Sequence, residues 1–272
     1  MATETSNMAV FCDFENVALG VRESHHGNFD IGNVLERLLL KGSIVVRKAY
    51  CDWDRYKEFK AAMHEAAFEL IEIPHVRQSG KNSADIRMVV DALDLCYTKP
   101  HVDTFVMLSG DSDFSPLVAK LRENNKVVIG VGVKNSTSDL LASACDEFIF
   151  YDDLVREEAR KRKRRAPKEA KSKEKEHAPK SSANGTEEDR RQEAIDLVME
   201  TIEAVQRDRG AEDRVWGSIV KQALKRRKPG FRESYYGFES FTDVLEEAQR
   251  RGLMKLVHDD RSGGYLIETR SR

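Results

Sequence analysis

The sequence predicts an α/β protein: a Rossmann-like parallel sheet with flanking helices over residues 1–155, then a small winged-helix (α+β) domain over 187–272. Three observations carry this. Short apolar runs alternate with amphipathic helical patterns through the first half. Aspartates stand directly after two of those runs. A basic stretch poor in large apolar residues, 156–186, separates this half from a second periodic segment and reads as a linker.

Residues 8–14 (MAVFCDF) read as the first strand. Residues 29–40 carry apolar positions at helical spacing, with Asp30 as the N-cap. Residues 43–49 (SIVVRKA) are β-branched and strand-like. An Ala-rich amphipathic helix follows over 56–68, then a short strand over 69–73 ended by Pro74. Residues 83–97 are helical from a serine cap, and 104–108 (TFVML) form a buried strand. Helix 114–124 has Pro116 in its first turn, where the missing N–H costs little. Strand 127–133, helix 138–145 and strand 147–151 complete the half. Strands separated by helices need crossover connections, hence a mostly parallel sheet covered on both faces. The functional crevice of such a sheet lies beyond the carboxyl ends of its strands.

Net charge is −2, but residues 156–180 hold 12 Lys/Arg against 5 Glu, a net of +7, which leaves −9 elsewhere. An acidic globule with a basic tether suits a protein that holds cations in one place and phosphates in another. The four cysteines, Cys12, Cys51, Cys96 and Cys145, have no CxxC or Cys/His spacing. That argues against zinc and for reduced thiols in a cytoplasmic protein. No run reaches the ~20 apolar residues of a membrane helix, and the first residues have no secretory pattern.

The chemistry gathers on acids. Asp13 ends the first strand (VFCDFEN), and Asp111 and Asp113 follow the fourth (LSGDSDF). Asp85 lies in the first turn of a helix that can face the same edge, and Asn16 adds a neutral oxygen or amide. Carboxylates this close raise one another's pKa and cost stability unless a cation neutralises them. An oxygen-only cluster suits Mg²⁺ or Mn²⁺, and metal-activated water attacking phosphorus in line is the expected mechanism. Each acid alone also reads as a turn former or cap: Asp113 for the helix at Phe114, Asp111 with Ser112 for the turn. Asp91 and Asp94 read as a solvated helix face.

Around the crevice, Lys81 reads as a phosphate contact or a solvated loop lysine. Arg22, His25 and His26 fall in a long loop after the first strand. Ser136, with Thr137 and Ser138, reads as a phosphate contact or as ordinary capping. Asp139 is a candidate distant fifth acid. Trp53 and Tyr56 read as base-stacking faces or as packing.

The segments FCDFEN, KNSADIRMVVDAL, MLSGDSDFSPLVAKLRENNKVVIGVG and LLASACDEFIFYDDL together resemble the NYN domain, a branch of the PIN-like ribonuclease superfamily. The resemblance covers about residues 8–153. It implies divalent-metal-dependent RNA cleavage, with metal and catalytic positions on Asp13, Asp85, Asp111 and Asp113. Asn16 matches the family's asparagine after the first acid, and Ser109 its small hydroxyl residue, a candidate phosphate contact. KNSAD departs from the glycine many relatives carry between lysine and acid.

Beyond the linker, the pattern reads as three helices and a β-hairpin. The segment ending in YGFESF and GYLIE resembles an OST-HTH, or LOTUS, domain, which implies RNA binding and sometimes protein binding. Lys225, Arg226 and Arg227, beside Phe231, Tyr235 and Tyr236, are its substrate-binding candidates. The whole reads as a metal-dependent RNA endonuclease with an RNA-binding module. The alternative is a catalytically weak or inactive RNA-binding regulator. RNA, a protein partner at the C-terminal domain and a homo-oligomer are the associations this reading leaves open.

Overall fold

The computed structural model describes residues 6–24, 28–73, 83–160, 187–209, 214–259 and 264–268. The chain forms two compact units, one of residues 1–38 and 42–176, the other of residues 39–41 and 177–272.

The larger unit is built on six strands: β1 (Ser6–Asp13), β2 (Gly42–Cys51), β3 (Glu69–Glu72), β4 (Thr104–Leu108), β5 (Val127–Gly132) and β6 (Glu147–Phe150). They run parallel in the order β3-β2-β1-β4-β5-β6. Its helices are α1 (Phe14–Glu23), α2 (Ile31–Lys41), α3 (Lys57–Glu65), α4 (Ser83–Thr98), α5 (Ser115–Glu123), α6 (Asp139–Ala144) and α7 over 151–160. Met8 through Cys12 are fully buried because helices cover both faces, so the strand reads as an unbroken apolar run. The pleat still sorts the side chains. Met8, Val10 and Cys12 pack with Val17, Val34 and Met63, while Ala9 and Phe11 pack with Met88, Ala92 and Val118. Thus α1–α3 lie on one face and α4–α6 on the other.

The predicted strands and helices recur within a few residues of their expected ends. Asp30 caps α2, accepting from the Gly32 N–H at 2.9 Å. Two readings are corrected. Phe14–Glu23 is a helix, not a loop, so Arg22 sits in a last helical turn. That helix buries Phe14, Val17, Gly20 and Val21 on one face, and burial outweighs the cost of an internal glycine. Asp91 is not a solvated acid. It accepts from Tyr50 Oη at 2.9 Å and Lys48 Nζ at 3.2 Å and pairs with Arg87 at 3.1 Å. These contacts clamp α4 onto β2 and hold the Asp91 carboxyl below its ordinary pKa, against the opposing effect of burial. Asp94 is exposed.

Ala67 closes α3 with a left-handed φ of 58°. An L side chain there costs about 1–2 kcal/mol that glycine does not. Ala67→Gly is expected to raise stability by roughly 1 kcal/mol, read by denaturant or thermal unfolding. An unchanged or lower midpoint would contradict it.

The smaller unit holds α8 (Glu187–Arg209), β7 (Val215–Trp216), α9 (Gly217–Arg227), α10 (Phe241–Arg250), β8 (Lys255–Asp259) and β9 (Gly264–Glu268). Strands β7-β9-β8 form an antiparallel sheet. Ser240 opens α10 with a reciprocal capping box to Asp243. Ile195, Val198, Ile202, Val220, Leu224, Val244 and Leu245 form its core, which Phe231, Phe238 and Phe241 join. The helices and wing expected from sequence are present, with Val215 and Trp216 in a strand, not the start of a helix. Residues 156–160 of the expected linker belong to α7, and 161–186 lie outside the described residues.

Candidate active site

Strand order reverses between β1 and β4, because connections from β1 run to one side of the sheet and those from β4 to the other. That is the switch point where a doubly wound sheet opens a crevice. Cys12 pairs in register with Leu108, so the next residues, Asp13 and Ser109, emerge side by side. The Ser109 hydroxyl donates to Asp13 Oδ2 at 3.1 Å and accepts from the Asp111 N–H at 3.2 Å. Ser109 is fully buried, with its hydroxyl taken up by these two bonds.

Asp13 is also the N-cap of α1, accepting from the Asn16 N–H at 3.3 Å. The Asn16 side chain in turn accepts from the Gly110 N–H at 2.9 Å, tying α1 to the loop after β4. Asp111 caps the 3-10 turn Ser112–Phe114, accepting from the Asp113 N–H at 2.9 Å. Capping therefore falls to Asp111, while Asp113 is exposed at the rim.

The electrostatics bring in α4. Asp13 is only 8% exposed, and its pKa is pushed up to about 7, first by burial, then by Asp85 and Asp111, against hydrogen bonds from Asn16 and Ser109. Asp85 is pushed up to about 6 by burial, then by Asp111, Asp113 and Glu15. The four sequence-predicted acids thus act on one another at the carboxyl edge of the sheet. Glu15, overlooked in the sequence, is a fifth. Two residues past Asp13, the N-cap, it lies in the first turn of α1.

Among the described residues, no three His, Cys, Asp or Glu side chains already converge as a ligand group. The donor set still fits a hard divalent cation. It is all oxygen, and every influence on Asp85 raises its pKa, a repulsion that positive charge would relieve.

Other candidates fall elsewhere. Ser136 lies in a 3-10 turn, its hydroxyl near the Val133 carbonyl at 3.4 Å, and Ser138 caps α6. Asp139 is exposed in the first turn of α6. Trp53 is buried against Phe14, ring centroids 5.0 Å apart, so it packs and does not stack on a base. Lys81, His25 and His26 lie outside the described residues. Lys225, Arg226 and Arg227 occupy the last turn of α9. Lys225 is exposed, but Arg227, 8% exposed, pairs with Glu200 at 3.5 Å and reaches Thr201 at 3.4 Å. Arg227 therefore joins α9 to α8, and its reading as an RNA contact is withdrawn. Phe231 is core; Tyr235 remains exposed.

A six-stranded parallel sheet with an acidic switch-point crevice defines the class: a PIN-like nuclease fold. Residues 7–152 match the NYN domain, and the chain belongs to that family. Nucleases of this family are generally divalent-metal dependent. The chain is 29% identical over 140 residues to Uncharacterized protein MJ0482 of Methanocaldococcus jannaschii. That match covers 50% of this chain and 55% of the relative, so the chain spans about half the relative's length. It is also similar to the crystal structure of a protein of unknown function, VPA0982, from Vibrio parahaemolyticus. That likeness has a TM-score of 0.50 at 27% identity, over 57% of this chain and 98% of the other. No described helix is long and apolar enough to cross a membrane.

Proposed function

We propose that this protein is a metal-dependent endonuclease that hydrolyses phosphodiester bonds of RNA, with the C-terminal unit serving as an RNA-binding module of the OST-HTH, or LOTUS, kind. The observation that carries the reading is Asp13, a carboxyl buried at the switch point with its pKa near neutrality. Burying an acid beside other acids destabilises a fold, and such arrangements cluster where chemistry needs them.

Asp13, Asp85, Asp111 and Asp113 would hold Mg²⁺ or Mn²⁺. When bound, the ion supplies positive charge against the phosphate oxygens and acidifies water for attack on phosphorus. Burial and the neighbouring acids raise the pKa of both Asp13 and Asp85, a cost that a cation held between them would relieve. Ser109 orients the Asp13 carboxylate, and Asn16 fixes the Gly110 backbone beneath Asp111. In the C-terminal unit, exposed Lys225 and Tyr235 offer a cation and a stacking face of the kind single-stranded RNA uses. The free cysteines fit a reducing, cytoplasmic setting.

A cleavage assay on single-stranded RNA, structured RNA and DNA, with Mg²⁺, Mn²⁺ or chelator, tests this. RNA cleavage that stops with chelator is expected. Asp113→Asn should cut the rate by ~100-fold or more, the scale of losing one positioned electrostatic contact. Full cleavage by a folded Asp113→Asn variant would remove this centre. RNA binding without turnover in either metal would support the regulator reading instead.

A further inference from the structure

The acidic crevice faces a substrate that is itself an anion, so some cation must meet the phosphates beside it. We propose that Arg55, held against Glu15 on the turn after β2, is that cation, and that Tyr56 completes a substrate-binding flank on the β2 side of the crevice. The inference rests on the nuclease reading above and names where its substrate backbone lies.

Position comes first. Asp13 pairs in register with Tyr50, so the turn that follows β2 leaves the sheet at the same edge as Asp13. The turn is well fixed. The Trp53 N–H donates to Glu72 Oε1 at 3.0 Å, and the Asp54 N–H to Asp52 Oδ1 at 3.1 Å. The Arg55 N–H donates to the Asp52 carbonyl at 3.0 Å. Phe14, the residue after Asp13, packs against both Trp53 and Tyr56, with centroids 5.0 and 5.5 Å apart. The core residue beside the buried acid therefore sets the turn that carries Arg55.

Charge comes second. Arg55 Nη1 donates to Glu15 Oε1 at 3.1 Å, and Glu15 lies in the first turn of α1, two residues after the N-cap Asp13. The pair thus stands at the crevice rim. Both side chains are substantially exposed, and so open an ion pair is weak. It aims the guanidinium without locking it, and a phosphate can accept from the same fork. Lys57 and Lys60 on the following helix are drawn to Asp54 instead, at 3.4 and 3.9 Å. Tyr56 follows Arg55 directly in the chain, and its half-buried ring packs edge-on against Phe14, beside the acid that Phe14 follows. A cation beside a ring matches the way a single strand is held, backbone on charge and base on an aromatic face.

The test is steady-state cleavage of single-stranded RNA by the full chain with Mn²⁺, at several salt concentrations. Arg55→Ala should raise KM about five- to twentyfold with kcat within about twofold of wild type, and lower the slope of log KM against log salt by ~0.7, one phosphate contact on a single strand. Arg55→Lys should recover part of KM, since it keeps the charge and loses the fork. Lys120→Ala, on the last turn of α5 at the opposite edge of the sheet, should match wild type in both. An Arg55→Ala enzyme with wild-type KM and salt slope overturns the inference and leaves the nuclease reading standing. A wild-type protein that cleaves no RNA removes both.

Discussion

Asp13→Asn is expected to abolish cleavage and, at the same time, to make the protein more stable. The carboxyl is buried, and its pKa is about 7 in place of the ordinary 3.8. At 1.36 kcal/mol per pKa unit, an ionised Asp13 opposes folding by up to ~4 kcal/mol. The amide removes the charge but keeps a single oxygen, so of the Asn16 N–H on Oδ1 and the Ser109 hydroxyl on Oδ2 only one retains its acceptor. Part of the gain is lost to burying the amide's N–H groups, so a net increase of ~1–2 kcal/mol is expected. That is several degrees in Tm for a domain of this size.

The pH dependence gives this prediction its shape. Below pH 3.8 the carboxyl is neutral in both folded and unfolded chains, and it contributes no penalty. Between 3.8 and about 7 the unfolded chain releases the proton while the fold retains it, so stability falls as pH rises. Above 7 both are ionised and the whole penalty is present. Thermal unfolding in chelator should find Asp13→Asn less stable than wild type near pH 4, where only the cost of the buried amide is felt, and more stable by pH 7, with the two curves crossing between. Divalent cation should stabilise wild type and not the variant. A variant less stable than wild type across this range would mean that Asp13 serves the fold, and the case for a functional acid would fail with it.

How far the molecule could be read in advance depended on how local each cause is. Strands β1 and β4 were legible because burial on both faces writes itself as an apolar run, and their acids because a charge ending such a run has one place to go, the strand's carboxyl edge. Asp30 was legible because a cap satisfies N–H groups within its own turn. Helix α1 was not. Its Gly20 lowers helix propensity, and its reason lies 116 residues away, where a Cβ would collide with the Ser136 hydroxyl. Asp91 and Arg227 look in sequence like any surface charge. Their roles appear only once β2 supplies Lys48 and Tyr50, and α8 supplies Glu200. Ser109 was legible as a motif residue and its bonds were not, because register places its hydroxyl between the Asp13 carboxylate and the Asp111 N–H, out of contact with solvent.

Gly110→Ala should separate those acids without touching one of them. A Cβ at Gly110 would overlap the carbonyl of Ser136 and crowd the Cα of Thr137, both backbone atoms with no side-chain torsion to yield. The hydrogen bonds of Gly110 itself allow little escape. The Gly110 N–H is held by Asn16 at 2.9 Å, and its carbonyl accepts from the Ser138 N–H at 2.9 Å. Either the loop carrying Ser136 retreats from β4, or the turn carrying Asp111 and Asp113 moves away from Asp13. Overpacking of this kind costs about 1–3 kcal/mol, and a shift of ~1 Å in a reacting constellation costs on the order of 100-fold in rate. The variant should therefore fold, melt several degrees lower, and cleave roughly 100-fold more slowly with KM little changed. Asn16→Ala, which frees the Gly110 N–H, should add less to Gly110→Ala than it costs alone, since both loosen one seam. A Gly110→Ala protein with wild-type rate and melting temperature would show that the acids keep their spacing by other means.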